Sequence, residues 1–236
     1  MYNDFTINQV RKFWDEASTI YDQTNKKIGA AHYQRFTESL KYLDLQANQL
    51  VLNIWSRTGN AIPHIRRVAK VELYNLEASE KMLAIAKNKF PEENFKITDL
   101  EKLAFPDNFF DRILSLETLE HTPNPLMLLK EFFRVLKPNG ILVMSLPPKT
   151  AELPLMLYDI FFDNHGEGPH KFLSSKNVKK MLQQSGLKLK VHKGTLLFPA
   201  GPQSLQLAAE KIIEFMQKTP IKELGIRQFY VCEKTQ

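Results

Sequence analysis

The stretch Val51-Leu52-Asn53-Ile54-Trp55-Ser56-Arg57-Thr58-Gly59-Asn60 decides how the chain is read. An apolar run ends in a short polar turn with one glycine. A helix-like segment follows, and a second apolar run then ends on an acid, Glu77. Strand, tight turn, crossover helix and acid-tipped strand, in that order, open a nucleotide-binding α/β domain. Such turns usually carry three glycines, because glycine takes left-handed backbone angles without steric cost.

Working outward, Leu50 to Ile54 predicts a strand buried on both faces, and Ile62 to Val68 a crossover helix with Pro63 in its first turn. Val71 to Leu76 is the second strand. Ser79 to Phe90 is a helix with Met82, Leu83 and Ala86 facing in, stopped by Pro91. Phe95 to Thr98 is a short strand ending on Asp99, and Arg112 to Leu116 a fourth strand. Pro125 starts a helix, Lys137-Pro138-Asn139-Gly140 signals a stop and turn, and Ile141 to Leu146 is the fifth strand. Short strands alternating with helices predict a doubly wound, mostly parallel α/β sheet with right-handed crossovers. Leu187 to Val191 and Ile226 to Cys232 bring the strands to seven. Ligands then belong beyond the carboxyl ends of the strands, at Asn53–Gly59, Glu77, Asp99 and Leu116–His121.

The flanks read differently. Residues 1–46 predict an N-terminal helical cap, with one helix from Asn8 to Ala17, a break at Tyr21-Asp22, and a second from His32 to Leu45. Residues 47–236 form the main domain. Residues 149–170, with Pro154, Gly166, Gly168 and Pro169, predict a long irregular loop of the kind used as a lid. Ser174 to Gly186 is a capped helix. Gln203 to Gln217 is amphipathic, with Leu205, Ala208, Ile212, Phe215 and Met216 expected inward.

Composition excludes several classes. Net charge is +6 over 236 residues, with the lysines dispersed, so a solvated surface is expected rather than a nucleic-acid stripe. Cys232 is the only cysteine, so no intrachain disulfide forms. Met1 to Lys12 lacks the apolar core of a secretion signal, and no apolar run nears the ~20 residues of a membrane span. A cytoplasmic location is expected. No Cys/His cluster has metal-ligand spacing, and no lysine-bearing phosphate loop is present.

Four segments, in order, resemble the class I S-adenosylmethionine-dependent methyltransferases, of the small-molecule type found in ubiquinone and menaquinone biosynthesis. They are Asn75-Leu76-Glu77-Ala78-Ser79-Glu80-Lys81-Met82-Leu83, Thr98-Asp99-Leu100 through Phe110-Asp111, Glu117-Thr118-Leu119-Glu120-His121-Thr122-Pro123-Asn124-Pro125, and Val135-Leu136-Lys137-Pro138-Asn139-Gly140. Pro169-His170-Lys171-Phe172 is similar to the stretch after that family's substrate loop, here residues 148–172. The resemblance implies S-adenosylmethionine as cofactor and a small-molecule methyl acceptor. Glu77 would accept from both ribose hydroxyls and Asp99 from the adenine amino group, with the Leu100 amide on a ring nitrogen. Ala78, Met82 and Leu100 would lie along the nucleoside, and Leu116 and Glu117 beside the methionine end. His121 and His170 are the catalytic candidates, each also suited to holding a loop; His165 and Tyr21 are further candidates for a base.

The first motif departs from the family. Asn53 stands for an acid, Trp55 and Arg57 for two glycines, and Thr58-Gly59 remains after Ser56. Three outcomes follow. Arg57 pairs with the cofactor's carboxylate while Trp55 walls the site; the ligand is a variant; or Trp55 and Arg57 have abolished cofactor binding and the fold serves as a scaffold. The acceptor pocket is expected from residues 1–35, 148–172 and 195–205, with Phe161, Phe162, Leu196, Leu197 and Phe198 pointing to a partly apolar substrate. These groups serve equally for packing on one another or for a homodimer.

Overall fold

The computed structural model describes residues 3–27, 29–161, 166, 168–196 and 203–235. Its centre is a seven-stranded sheet: β1 (Leu50–Ile54), β2 (Glu72–Glu77), β3 (Asn94–Ile97), β4 (Phe110–Leu116), β5 (Leu136–Leu146), β6 (Leu187–Thr195) and β7 (Arg227–Lys234). Spatial order is β3-β2-β1-β4-β5-β7-β6. The first five strands are parallel, and β7 runs antiparallel to both β5 and β6. The expected doubly wound, mostly parallel architecture is the one found. The order reverses between β1 and β4, which places a ligand crevice beyond their carboxyl ends.

The alternation of side chains across β1 builds two cores. Leu52 and Ile54 enter one apolar layer, with α1 (Ile7–Lys27), α5 (Pro125–Val135) and α7 (Ser175–Ser185). Val51 enters the other, with α2 (Gly29–Leu43) and α3 (Ile62–Val68). On the Val51 face an amide ladder crosses three strands. The Asn53 amide donates to Asn75 at 2.9 Å, and the Asn75 amide donates to the Asn94 carbonyl at 3.2 Å. Asn53, where the resembling family has an acid, therefore pairs between strands. On α4 (Glu80–Lys89) the Ser79 hydroxyl caps the first turn by accepting from the Met82 amide. On α7 the Ser174 hydroxyl does the same, and Gly186 ends the helix in the left-handed region, φ 88°.

Four expectations need correction. Helix α1 does not break at Tyr21-Asp22 but continues to Lys27. There Tyr21 is buried and Asp22 serves as a polar anchor, so one face of the helix is built for the cleft rather than for a uniform apolar layer. Lys137–Gly140 does not end the chain's pairing: β5 starts at Leu136, and the four residues bulge out of register between Phe110 and Arg112 of β4, with Asn139 at φ 61°. The expected lid loop holds a helix, α6 (Glu152–Phe161). On α8 (Gln203–Phe215) the inward residues are Ala209 and Ile213, whereas Leu205, Ala208, Ile212 and Phe215 face solvent and Met216 is half-buried. Phe162, His165, Leu197 and Phe198 lie outside the described residues. No helix among the described residues is long and apolar enough to cross a membrane.

Candidate ligand cleft at the switch point

The turn after β1 keeps a glycine-type course without the glycines. Trp55, Arg57 and Gly59 have φ of 55°, 53° and 83°. Left-handed backbone costs roughly 1–2 kcal/mol at each non-glycine residue. The bonding that holds the turn is local: the Ser56 amide donates to the Leu76 carbonyl at 2.8 Å, and Gly59 to the Ser56 carbonyl at 2.9 Å. At Gly59 a Cβ would sit 2.8 Å from the Phe90 ring, so this glycine is required twice over.

Glu77 lies directly beneath the turn and is fully buried. One carboxylate oxygen accepts from the Arg57 amide at 2.6 Å; the other accepts from Ala78 and Ser79 at 2.9 and 3.0 Å. Burial pushes this carboxyl above the usual carboxylate range, opposed by Arg57 and the three amides. The Arg57 guanidinium leaves the turn and lies between two indoles, 3.7 Å from the Trp14 ring centre and 4.1 Å from that of Trp55. Burial depresses the Arg57 pKa, with Glu77 opposing and Arg35 reinforcing. Among the described residues the guanidinium forms no ion pair, and its Nη1 is buried without a hydrogen-bond partner.

Helix α1 is strapped across the strand ends, a role its periodicity does not reveal. Arg11 donates to the Thr98 carbonyl at 3.2 Å, beyond β3. Asp15 accepts from the Ser79 hydroxyl at 2.5 Å and the Lys81 amide at 3.1 Å, at the start of α4. Asp22 accepts from Thr58 at 2.6 Å, Asn60 at 3.0 Å and Lys89 at 3.0 Å, and these bonds outweigh burial to lower its pKa. Trp14 thereby joins the buried layer that contains Ala78, Met82 and Leu100. Asp99 stays exposed, and its Oδ1 accepts from the Glu101 and Lys102 amides at 3.1 and 3.3 Å.

Leu116 lines the cleft, and Glu117 turns away into an ion cluster. It accepts from Arg35 on α2 and from Arg227 Nε on β7, the latter at 2.8 Å. Burial would raise the Glu117 pKa, but the two guanidinia hold it well below the carboxylate range. His121 is buried against Trp14, Trp55 and His170, at ring separations of 5.6, 5.4 and 6.2 Å. Burial, with Arg57 nearby, pushes its pKa down to about 3. The neutral ring meets the Pro169 carbonyl through Nδ1 at 2.9 Å, which assigns the proton to Nδ1 and leaves Nε2 an acceptor. His170 meets the Gly168 carbonyl through Nδ1 at 2.7 Å and leans on Phe172. The structure thus brings Trp55, Arg57, Glu77 and His121 to one corner, with Glu117 in the neighbouring ion cluster, while Asp99 follows β3 as an exposed residue bonded to its own turn.

A cavity lined by Tyr21, Arg35, Asn53, Trp55, Ser56 and Arg57, among others, has a volume of about 20 Å³. That is room for about one water molecule. The backbone course and the donor chemistry suit a nucleoside carrying an acid group. Among the described residues no group of three His, Cys, Asp or Glu side chains is placed to hold a metal.

Residues 39–144 match the family model described as a methyltransferase domain. The chain is similar to the demethylmenaquinone methyltransferase of Staphylococcus aureus, 30% identical over 192 residues that cover 78% of this chain and 79% of that one. It is 27% identical over 164 residues to the enzyme of the same name from Chlorobaculum tepidum, covering 66% and 67% of the two chains. Among solved structures, a SAM-dependent methyltransferase from Thermotoga maritima superposes with a TM-score of 0.70 at 17% identity, covering 95% of this chain and 99% of that one.

Proposed function

The chain belongs to the class I S-adenosylmethionine-dependent methyltransferases of small-molecule type, whose cofactor is S-adenosylmethionine, and from that premise we propose that it methylates a small, partly apolar acceptor in the cytoplasm. The observation that carries this is Glu77, buried beneath a turn that keeps left-handed angles at 55, 57 and 59. A backbone with no ligand to accommodate would gain by relaxing two such residues. Glu77 would hold the ribose, Asp99 the adenine edge, and Ala78, Met82 and Leu100 the apolar faces of the nucleoside.

The cofactor supplies a methyl group already activated on a positive sulfur. This chain's part is alignment and exclusion of water, worth several kcal/mol and up to ~7–11 in ideal systems. The strap of α1 excludes water by covering the strand ends with Trp14 and Tyr21. His121, at about 3, takes up a proton poorly near neutrality, so its Nε2 orients an acceptor hydroxyl rather than stripping it. His170 steadies the segment that presents His121 to the Pro169 carbonyl.

A second reading is favoured by the Arg57 stack itself. Two unit positive charges 4 Å apart repel by about 4 kcal/mol at an effective dielectric of 20. A guanidinium within the cleft therefore opposes a sulfonium unless an anion accompanies it, and a protein that keeps its stack closed would be a non-catalytic relative. Isothermal titration with S-adenosylmethionine separates the two. Saturable heat at micromolar to low millimolar ligand is expected; no heat at millimolar ligand contradicts the enzyme and leaves the closed scaffold.

A further inference from the structure

Residues 171–209 hold seven lysines and no acid, a larger charge than the +6 of the whole chain. Little of it is neutralised inside the fold. Lys190 meets Glu233 at 2.9 Å and Lys193 meets Glu38 at 2.7 Å, but among the described residues Lys171, Lys176, Lys179, Lys180 and Lys188 form no ion pair. The start of α7, which carries Lys176 and Lys179, is tied to the short helix Pro220–Leu224, where Glu223 accepts from the Ser175 hydroxyl. Three other elements meet at that short helix. Lys222 donates to the His192 carbonyl of β6 at 3.4 Å, and Thr150, just ahead of α6, donates to the Glu223 carbonyl at 2.8 Å. Its cap, Thr219, donates to the Met216 carbonyl just past α8 at 2.8 Å. Large apolar side chains stand in solvent on these same elements. Phe215, at the end of α8, is 88% exposed and Leu224 58%, and Ile212, Leu153 and Met156 are exposed with them. Single exposed apolar residues are ordinary; several grouped among cations mark an interaction surface.

We propose that this end of the molecule docks on an anionic lipid surface, with Phe215 and Leu224 entering the headgroup layer and Lys176, Lys179, Lys218 and Lys222 meeting lipid phosphates. Surfaces that set lysines beside Phe and Leu bind at the membrane interface by apolar burial and charge attraction together. The exposed acids Glu152 and Glu214 oppose this in part, and Glu214 already lies 3.6 Å from Lys193. A second copy of the chain is the poorer occupant, because a two-fold contact would set the same lysines against one another. A nucleic acid accounts for the lysines but not for Ile212, Leu224, Leu153 and Met156, which offer no ring for a base to stack on. β5 runs toward this end and β7 leaves it, so the docking face lies at the carboxyl ends of the parallel strands, the side of the cleft. Arg227, the first residue of β7, donates to Glu117 at 2.8 Å and so links the face to the cleft. On the functional reading above, an apolar acceptor would reach the cleft from lipid rather than from water; the docking itself does not depend on that reading.

The test floats the full chain with vesicles of phosphatidylcholine alone and of phosphatidylcholine mixed with phosphatidylglycerol. Binding to the mixed vesicles and not to the neutral ones is expected, and it should fall as salt is raised, because exposed charges are screened. Phe215→Ser combined with Leu224→Ser should lower the partition at least about tenfold, since two large apolar side chains are withheld from the interface. Lys176→Glu combined with Lys218→Glu should lower it by at least about tenfold as well. All four positions are exposed or half-buried, so both double variants should keep the parent's thermal midpoint. Vesicle binding is read whether or not S-adenosylmethionine gives heat, so failure here and failure of the enzyme reading are separate results. No flotation with either vesicle, equal flotation with both, or mixed-vesicle binding left intact by Phe215→Ser with Leu224→Ser overturns the proposal. Absent flotation with binding of a random-sequence RNA would assign the lysines to nucleic acid instead. A solution dimer broken by the same apolar pair of substitutions would give the face to a second copy, which also overturns it.

Discussion

Glu77 and Arg57 occupy the same corner, both shut away from water, and are held in opposite ways. The carboxylate is met by three backbone amides from a turn and a helix start. The guanidinium is met by two ring faces and, among the described residues, has no ion pair. Backbone amides at a helix start cannot leave without unfolding it, so Glu77 is part of the frame. Stacking on a desolvated indole is worth only about 2 kcal/mol, so Arg57 is the part that can move. A permanent frame with a displaceable filling is what a ligand site requires.

Substitutions should divide accordingly. Glu77→Ala leaves three buried backbone amides without their acceptor. It should cost roughly 1–3 kcal/mol in urea unfolding; a loss below about 1 kcal/mol would mean that the frame does not depend on this acid. Gly59→Ala places a Cβ against the Phe90 ring at φ 83°, and a loss of about 1–3 kcal/mol is expected, read as a lowered thermal midpoint. Asp15→Ala cuts the strap at the start of α4. About 1 kcal/mol of stability should go, with faster amide exchange in Ile7–Lys27 as the local sign. Arg57→Met should be nearly neutral, within about 1 kcal/mol, because a buried cation without a contacting anion is replaced by a flexible apolar chain between the same rings.

Acid adds a further contrast. His121 has a folded pKa of about 3 against 6.5 in the unfolded chain. The unfolded state therefore binds the extra proton between these values. The stability is whole above about pH 6.5 and falls by up to about 1.4 kcal/mol per pH unit as acid is added toward pH 3. His192, at about 4 through burial and Lys179, acts in the same direction. Urea midpoints measured from pH 7 to 5 should decline, and less steeply in His121→Asn; a flat profile would show that the ring is not buried neutral.

The sheet was legible because its five parallel strands are short apolar runs punctuated by proline, glycine and acids, from Leu50–Ile54 to Leu136–Leu146. The cleft was legible only in outline. That Trp55 and Arg57 would adopt glycine angles follows from no propensity, since both side chains disfavour them. The strap was hidden because Asp15 and Asp22 resemble exposed helix positions until α4 and the β1 turn are brought beneath them. The buried face of α8 is not legible in its spacing, because Leu205, Ala208, Ile212 and Phe215 have core-like spacing yet point to solvent. Spacing records amphipathicity, not what covers it.

The most direct test watches the two indole N–H signals by ¹H–¹⁵N NMR as S-adenosylmethionine is added. Both resonances should shift saturably as the Arg57 stack parts, because Trp14 and Trp55 are the two walls that hold it. If neither moves at millimolar cofactor while the rest of the spectrum stays folded, the stack is a permanent plug and the cleft is not a cofactor site.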